Sequence, residues 1–181
     1  MQCMNLDVTD YYGQRENKDG IWEEDLMSKD VIINVRGIQT DPENDENTLE
    51  LITEGKYYQK GNNYYITYKE SEVTGMSGTT TTLKVGDGVV TLMRFGKVNS
   101  QFVFQKGQKH ISSYETEYGI FTIGVYANNV DIDIDDSGGE IRVGYQIEID
   151  SHNTGRNDFY MQIREVGAAN EKHNRGNTPA N

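Results

Sequence analysis

Arg94 is the side chain whose chemistry most needs explaining. It sits in the apolar run VVTLMRF, residues 89–95. By alternation it shares a face with Val90 and Leu92, while Val89, Met93 and Phe95 take the other. Both faces are apolar, so its direction stays open. Pointing inward, it needs an acidic partner or a ligand anion, because an unpaired buried charge is very costly. Pointing outward, it snorkels into water or joins a surface ion pair. Just upstream, SGTTTTLKV puts the hydroxyls of Thr79 and Thr81 on one face with Leu83 and Val85. Tyr114, Tyr118 and Tyr145 offer apolar rings with polar tips, which suits an amphipathic ligand. The plainer alternative is that tyrosine forms strands well and fills cores.

Other constellations carry less. Asp131, Asp133, Asp135 and Asp136 resemble the start of a calcium loop, but that pattern wants Gly at position 6 and Glu at position 12. Here those places hold Asp136 and Arg142, so the aspartates read as one solvated strand face against Ile132 and Ile134. No GxGxxG precedes a helix, and no pair of the three histidines has metal-ligand spacing. Cys3 is the single cysteine, which rules out an internal disulfide and Cys-rich zinc sites. The expectation is therefore no metal, no cofactor and no catalytic residue. The net charge is -12, and no run of Lys and Arg offers a phosphate-binding surface. Nucleic acid and anionic membrane are poor partners on that ground. MQCMNLDVTDYY lacks the apolar core of a signal peptide, and no run approaches the roughly 18 apolar residues of a membrane helix. The expected location is the cytoplasm.

The elements that would hold these side chains are strands. Period-2 alternation runs through Val31–Val35, Leu49–Ile52, Tyr64–Tyr68, Phe102–Phe104, Ile141–Ile149 and Phe159–Ile163. Turn residues separate the runs at Gly61-Asn62-Asn63, Gly86-Asp87-Gly88, Lys97-Val98-Asn99, Gly107 and Ser137-Gly138-Gly139. DPENDEN, residues 41–47, reads as an acidic hairpin loop. Short spacing predicts an antiparallel meander of about eight to ten strands, closed or nearly closed into a barrel because closure removes exposed edges. TTTTLKV is then a strand with a polar half, not a linker. Residues 29–166 form the barrel domain. Residues 1–28 are an acidic extension, disordered or a short helical cap around Trp22, and residues 167–181 a disordered polar tail.

The ordered phrases EGKYYQKGNNYYITYKE, GMSGTTTTLKV, VVTLMRFG, ISSYETEYG and RVGYQIEID resemble the YwiB-like family of small bacterial proteins over residues 29–166. The resemblance implies a calycin-type, lipocalin-like all-β barrel with no established activity. Residues 1–28 extend beyond the family's usual start, so it implies nothing about Cys3 or Trp22.

Three functions compete. The first is a barrel that binds an apolar or amphipathic small molecule through Arg94, Thr79, Thr81, Tyr114, Tyr118 and Tyr145. The second is a non-catalytic protein-interaction module whose interior is filled by Tyr64, Tyr68, Phe102, Phe104, Tyr145 and Phe159. The third is an enzyme using Arg94, tyrosines and Glu115, for which no nucleophile elbow speaks. A void of about 300 Å³ or more would favour the first over the second. Oligomeric state stays open between monomer and homodimer. The sharpest geometric expectation follows from the tight turn at Gly86-Asp87-Gly88. Pairing about it sets Arg94 opposite the threonine half of residues 79–85. Arg94 should then point inward near Thr79, Thr81 and Tyr114, with Glu115 or a ligand anion as its acceptor.

Overall fold

The computed structural model describes residues 28–149 and 152–167. But for Ser28 and Gly167, the acidic extension and the polar tail lie outside the described residues, as do Cys3 and Trp22. The alternating runs become ten strands: β1 (Lys29–Thr40), β2 (Glu46–Lys60), β3 (Asn63–Lys69), β4 (Thr79–Gly86), β5 (Val89–Gly96), β6 (Asn99–Gln105), β7 (Lys109–Thr116), β8 (Gly119–Asp135), β9 (Gly138–Ile149) and β10 (His152–Glu165). Each pairs antiparallel with its sequence neighbour, and β1 pairs with β10, so the meander closes into a barrel. A single 3-10 turn, Glu72–Thr74, lies in the β3–β4 connection. Among the described residues no helix is long and apolar enough to cross a membrane.

The inward positions are one apolar set of alternate residues along each strand. Val31, Ile33, Ile66, Leu83, Val85, Val90, Phe104, Val125, Ile141, Val143, Met161 and Ile163 are buried together and fill one half of the barrel. That half is closed at its end by two tyrosines. The Tyr57 hydroxyl donates to the Asp135 carbonyl at 2.7 Å, and the Tyr64 hydroxyl to an Asp136 carboxylate oxygen at 3.0 Å. Their rings stack at 5.5 Å. Burial, with the neighbouring Tyr64 and Asp135 adding to it, pushes the Tyr57 phenol well above its ordinary range.

The wall is uneven. β6 and β7 are matched at only two positions, Asn99 with Glu115 and Ser100 with Tyr114. Below them the β6–β7 connection docks on β8 instead: the Gly107 amide donates to the Ala127 carbonyl at 2.8 Å. A bulge between Ala127 and Asn129 bends β8 there. β7 and the first half of β8 therefore form a lip beside the opposite, open end, with Ile111 and Ile120 exposed on its outer face.

Candidate functional site

At the open end the inward face turns from apolar to polar. On β4, Leu83 and Val85 give way to Thr81 and Thr79; on β5, Val90 and Leu92 give way to Arg94. Register sets Thr81 directly across from Arg94, and Arg94 across from Ser100 on β6. Tyr68 on β3 faces Thr81 from the other side. Arg94 is thus brought inward, its side chain 17% exposed, on the row predicted for it.

The charge it faces belongs to a residue that sequence reasoning missed. Glu70, one step past β3, is buried with a side-chain exposure of 2%, and its Oε1 lies 3.8 Å from Arg94 Nε. The same Oε1 accepts a hydrogen bond from the Thr81 hydroxyl at 2.5 Å. The Glu70 amide donates to the Thr79 carbonyl at 2.9 Å, which fixes the carboxylate at the root of the β3–β4 connection. Glu115 is exposed on the outward face of β7 and does not take this role. Outward Glu115 follows from the same alternation that sends Tyr114 inward.

The remaining site candidates divide. Thr81 belongs to the cluster. Thr79 is buried at the right level, but its hydroxyl accepts the Val98 amide at 3.2 Å and so secures the β5–β6 turn. Gly96, at φ 130°, lets the Gly78 carbonyl press where a Cβ would stand, which keeps this corner closed above Arg94. Tyr114 faces the interior and stacks on Phe102, ring centroids 6.3 Å apart. Tyr145 packs on Phe104 at 4.8 Å. Burial raises the pKa of its phenol and the Arg94 charge partly opposes this. Tyr118 does not enter the barrel. It occupies the β7–β8 turn, 86% exposed, and touches only the rim, because the lip carries it past the wall.

Two chambers meet at Arg94. The larger, of about 1360 Å³, opens between the lip and the barrel and is lined by Phe102, Tyr114, Phe121, Ile123, Ile147 and Ile149 among others. The smaller, of about 300 Å³, runs towards β1, β2 and β10 between Leu49, Leu51, Tyr68, Glu70, Asn157 and Phe159. Arg94 and Tyr145 line both. Around this junction several buried polar atoms have no hydrogen-bond partner within the protein: Arg94 Nε, Glu70 Oε2, Ser100 Oγ and Asn157 Nδ2. Burial, and next the Glu70 charge, drive the Tyr68 phenol far above its ordinary pKa, so it stays a neutral hydroxyl here. The arrangement can bind and orient a polar group. No cluster of three or more His, Cys, Asp or Glu able to hold a metal exists among the described residues. Asp131, Asp133 and Asp135 all stand exposed, on the solvated face that alternation gave them.

Comparison with known proteins fits this architecture. Residues 33–161 match the family described as a domain of unknown function, DUF1934, and the chain belongs to that family. It is 29% identical over 119 residues to the uncharacterized beta-barrel protein YwiB of Bacillus subtilis (strain 168), a match covering 66% of this chain and 82% of that protein. The crystal structure of the ywiB protein from Bacillus subtilis superposes with a TM-score of 0.62 at 21% identity, over 75% of this chain and 92% of that one. The likeness shows a shared barrel fold.

Proposed function

We propose that this member of the DUF1934 family is a barrel that binds a small amphipathic molecule at its open end. One observation carries the reading: three residues with buried polar atoms that lack protein partners, Glu70, Arg94 and Asn157, line the narrow chamber, and Arg94 also lines the wide one. A polar group left unsatisfied in the interior is unfavourable, so such a cluster fits a ligand's headgroup better than a structural role. The wide chamber exceeds the ~300 Å³ at which ligand pockets begin, and the narrow one reaches it. The ligand's apolar part would lie against Phe102, Tyr114, Ile123 and Ile147. On this reading the interior is used as in lipocalin-like barrels, in the cytoplasm, without catalysis, metal, nucleic acid or membrane.

The test is titration with Nile red, a neutral apolar dye. One saturable site per chain is expected, with blue-shifted emission. Ile147→Trp, which fills the wide chamber, should remove it, and native mass spectrometry of freshly purified protein should show a co-purified small molecule. Dye binding that is absent, or unchanged in Ile147→Trp, would count against the binding barrel. It would favour the alternative of a protein-interaction module, for which the exposed Ile111 and Ile120 on the lip speak.

A further inference from the structure

The Glu70–Arg94 pair restricts what headgroup the cavity can take. The inference rests on the binding reading above and goes beyond it to the ligand's chemical class. An arginine deep in a barrel ordinarily suggests an anionic ligand. Here the guanidinium already faces a carboxylate 3.8 Å away, whose side chain is 2% exposed. The pair is neutral as a unit. A second anion beside it would stand against the buried charge of Glu70, in surroundings where little water screens it.

The unmet hydrogen bonds give the positive half of the argument. At 3.8 Å Arg94 Nε and Glu70 Oε1 compensate in charge without forming a hydrogen bond, so the Nε–H still lacks an acceptor. Glu70 Oε1 is occupied by the Thr81 hydroxyl and the Tyr68 hydroxyl also bears on this carboxylate, while Oε2 makes no hydrogen bond within the protein. Asn157 Nδ2, on the opposite wall of the narrow chamber, is a third unmet group and a donor. A carboxylate answers the two donors and leaves Glu70 Oε2 unmet. An ammonium answers Oε2, leaves both donors unmet and meets Arg94 as a like charge. A headgroup with an N–H or O–H next to a C=O or ether oxygen answers all three.

We propose that the narrow chamber recognises an uncharged headgroup that pairs a hydrogen-bond donor with an acceptor, of which a primary carboxamide is the simplest. The acceptor oxygen meets Arg94 Nε and Asn157 Nδ2, and the donor meets Glu70 Oε2. The alkyl or aryl remainder runs into the wide chamber.

Three probes of one chain length decide this by isothermal titration calorimetry on the full chain at pH 7: octanamide, octanoate and octylammonium. Octanamide should bind at least about tenfold more tightly than either ion, the effect of a single buried hydrogen bond left unmade. Glu70→Gln removes the compensating charge and should shift the preference to octanoate. If that variant does not fold, the wild-type ranking decides alone. Octanoate or octylammonium binding as tightly as octanamide would overturn the headgroup assignment and leave the binding barrel standing. No binding by any of the three would also overturn it. The binding barrel falls as well only if Nile red fails to bind at one saturable site or binds Ile147→Trp unchanged.

Discussion

Replacing Arg94 with methionine removes the one positive charge facing Glu70 and keeps a side chain of similar length. Coulomb's law with an effective dielectric constant of about 20 puts the lost attraction at about 4 kcal/mol for the 3.8 Å separation. Relief of the guanidinium's own desolvation offsets part of this, since only 17% of that side chain reaches solvent. The net cost should be about 3 kcal/mol, in line with breaking a buried pair by deleting one partner. Glu70→Gln should cost less, about 1.5 kcal/mol, because the amide still accepts from Thr81 and Arg94 can turn towards the open chamber. The double variant Arg94→Met/Glu70→Gln strands no charge and should cost about 2.5 kcal/mol, which leaves a coupling of about 2 kcal/mol between the positions. Urea unfolding of all four proteins at pH 7, followed by circular dichroism, measures the cycle. Additive costs, with a coupling under about 0.5 kcal/mol, would show that Arg94 and Glu70 do not act as a pair in solution. The headgroup argument would then lose its premise.

Two further predictions concern the closed end. Tyr57→Phe removes the 2.7 Å hydrogen bond to the Asp135 carbonyl and should destabilise by about 1–2 kcal/mol; an unchanged melting temperature would mean that this hydroxyl does not hold the β8–β9 turn. Asp135 accepts from both the hydroxyl and the amide of Ser137, at 2.6 and 2.8 Å, and these bonds hold its carboxyl below the ordinary 3.8. A carboxyl depressed in the folded state adds stability that is present above the unfolded pKa and lost as pH falls through the folded one. Ser137→Ala should therefore be less stable than wild type at pH 7 and converge with it below pH 3.8. A gap that persists unchanged into strong acid would refute this.

The strand content was legible because six runs, those of β1, β2, β3, β6, β9 and β10, obey period 2 with turn residues between them. The tight turn at Gly86-Asp87-Gly88 predicts Arg94 opposite the threonine half of β4, and in the structure it falls opposite Thr81. The lip was harder to read. GIFTIGVYANNV, at the start of β8, is apolar on both faces, with Ile120 70% exposed and Ile123 buried. A stretch that leaves the wall and projects beside the mouth no longer separates apolar from polar positions, so alternation carries no signal there. Tyr118 stands at the rim of the wide chamber, 86% exposed, rather than inside the barrel. It sits near Tyr114 in sequence, but the chain turns outward between them.

The site itself was half legible, and the missing half follows a rule. Its inward polar residues lie one step beyond an apolar alternation: Arg94 after Val90 and Leu92, Thr81 before Leu83 and Val85, Glu70 after Ile66 and Tyr68, Ser100 before Phe102 and Phe104, Asn157 before Phe159 and Met161. Extending each run by two residues places five polar side chains on the inner wall at the same end. Alternation decides face, and face is read locally; Glu70 could have been found this way. Partnership is different. That Glu70 rather than Glu115 meets Arg94 depends on the β3–β4 connection folding back over β4, anchored by the Glu70 amide on the Thr79 carbonyl. No periodicity encodes that approach, because it is made by a nine-residue connection with a single 3-10 turn. The polar level of the barrel is thus written in the strands. The neutral pair within it, and with it the argument for an uncharged headgroup, is written in one loop.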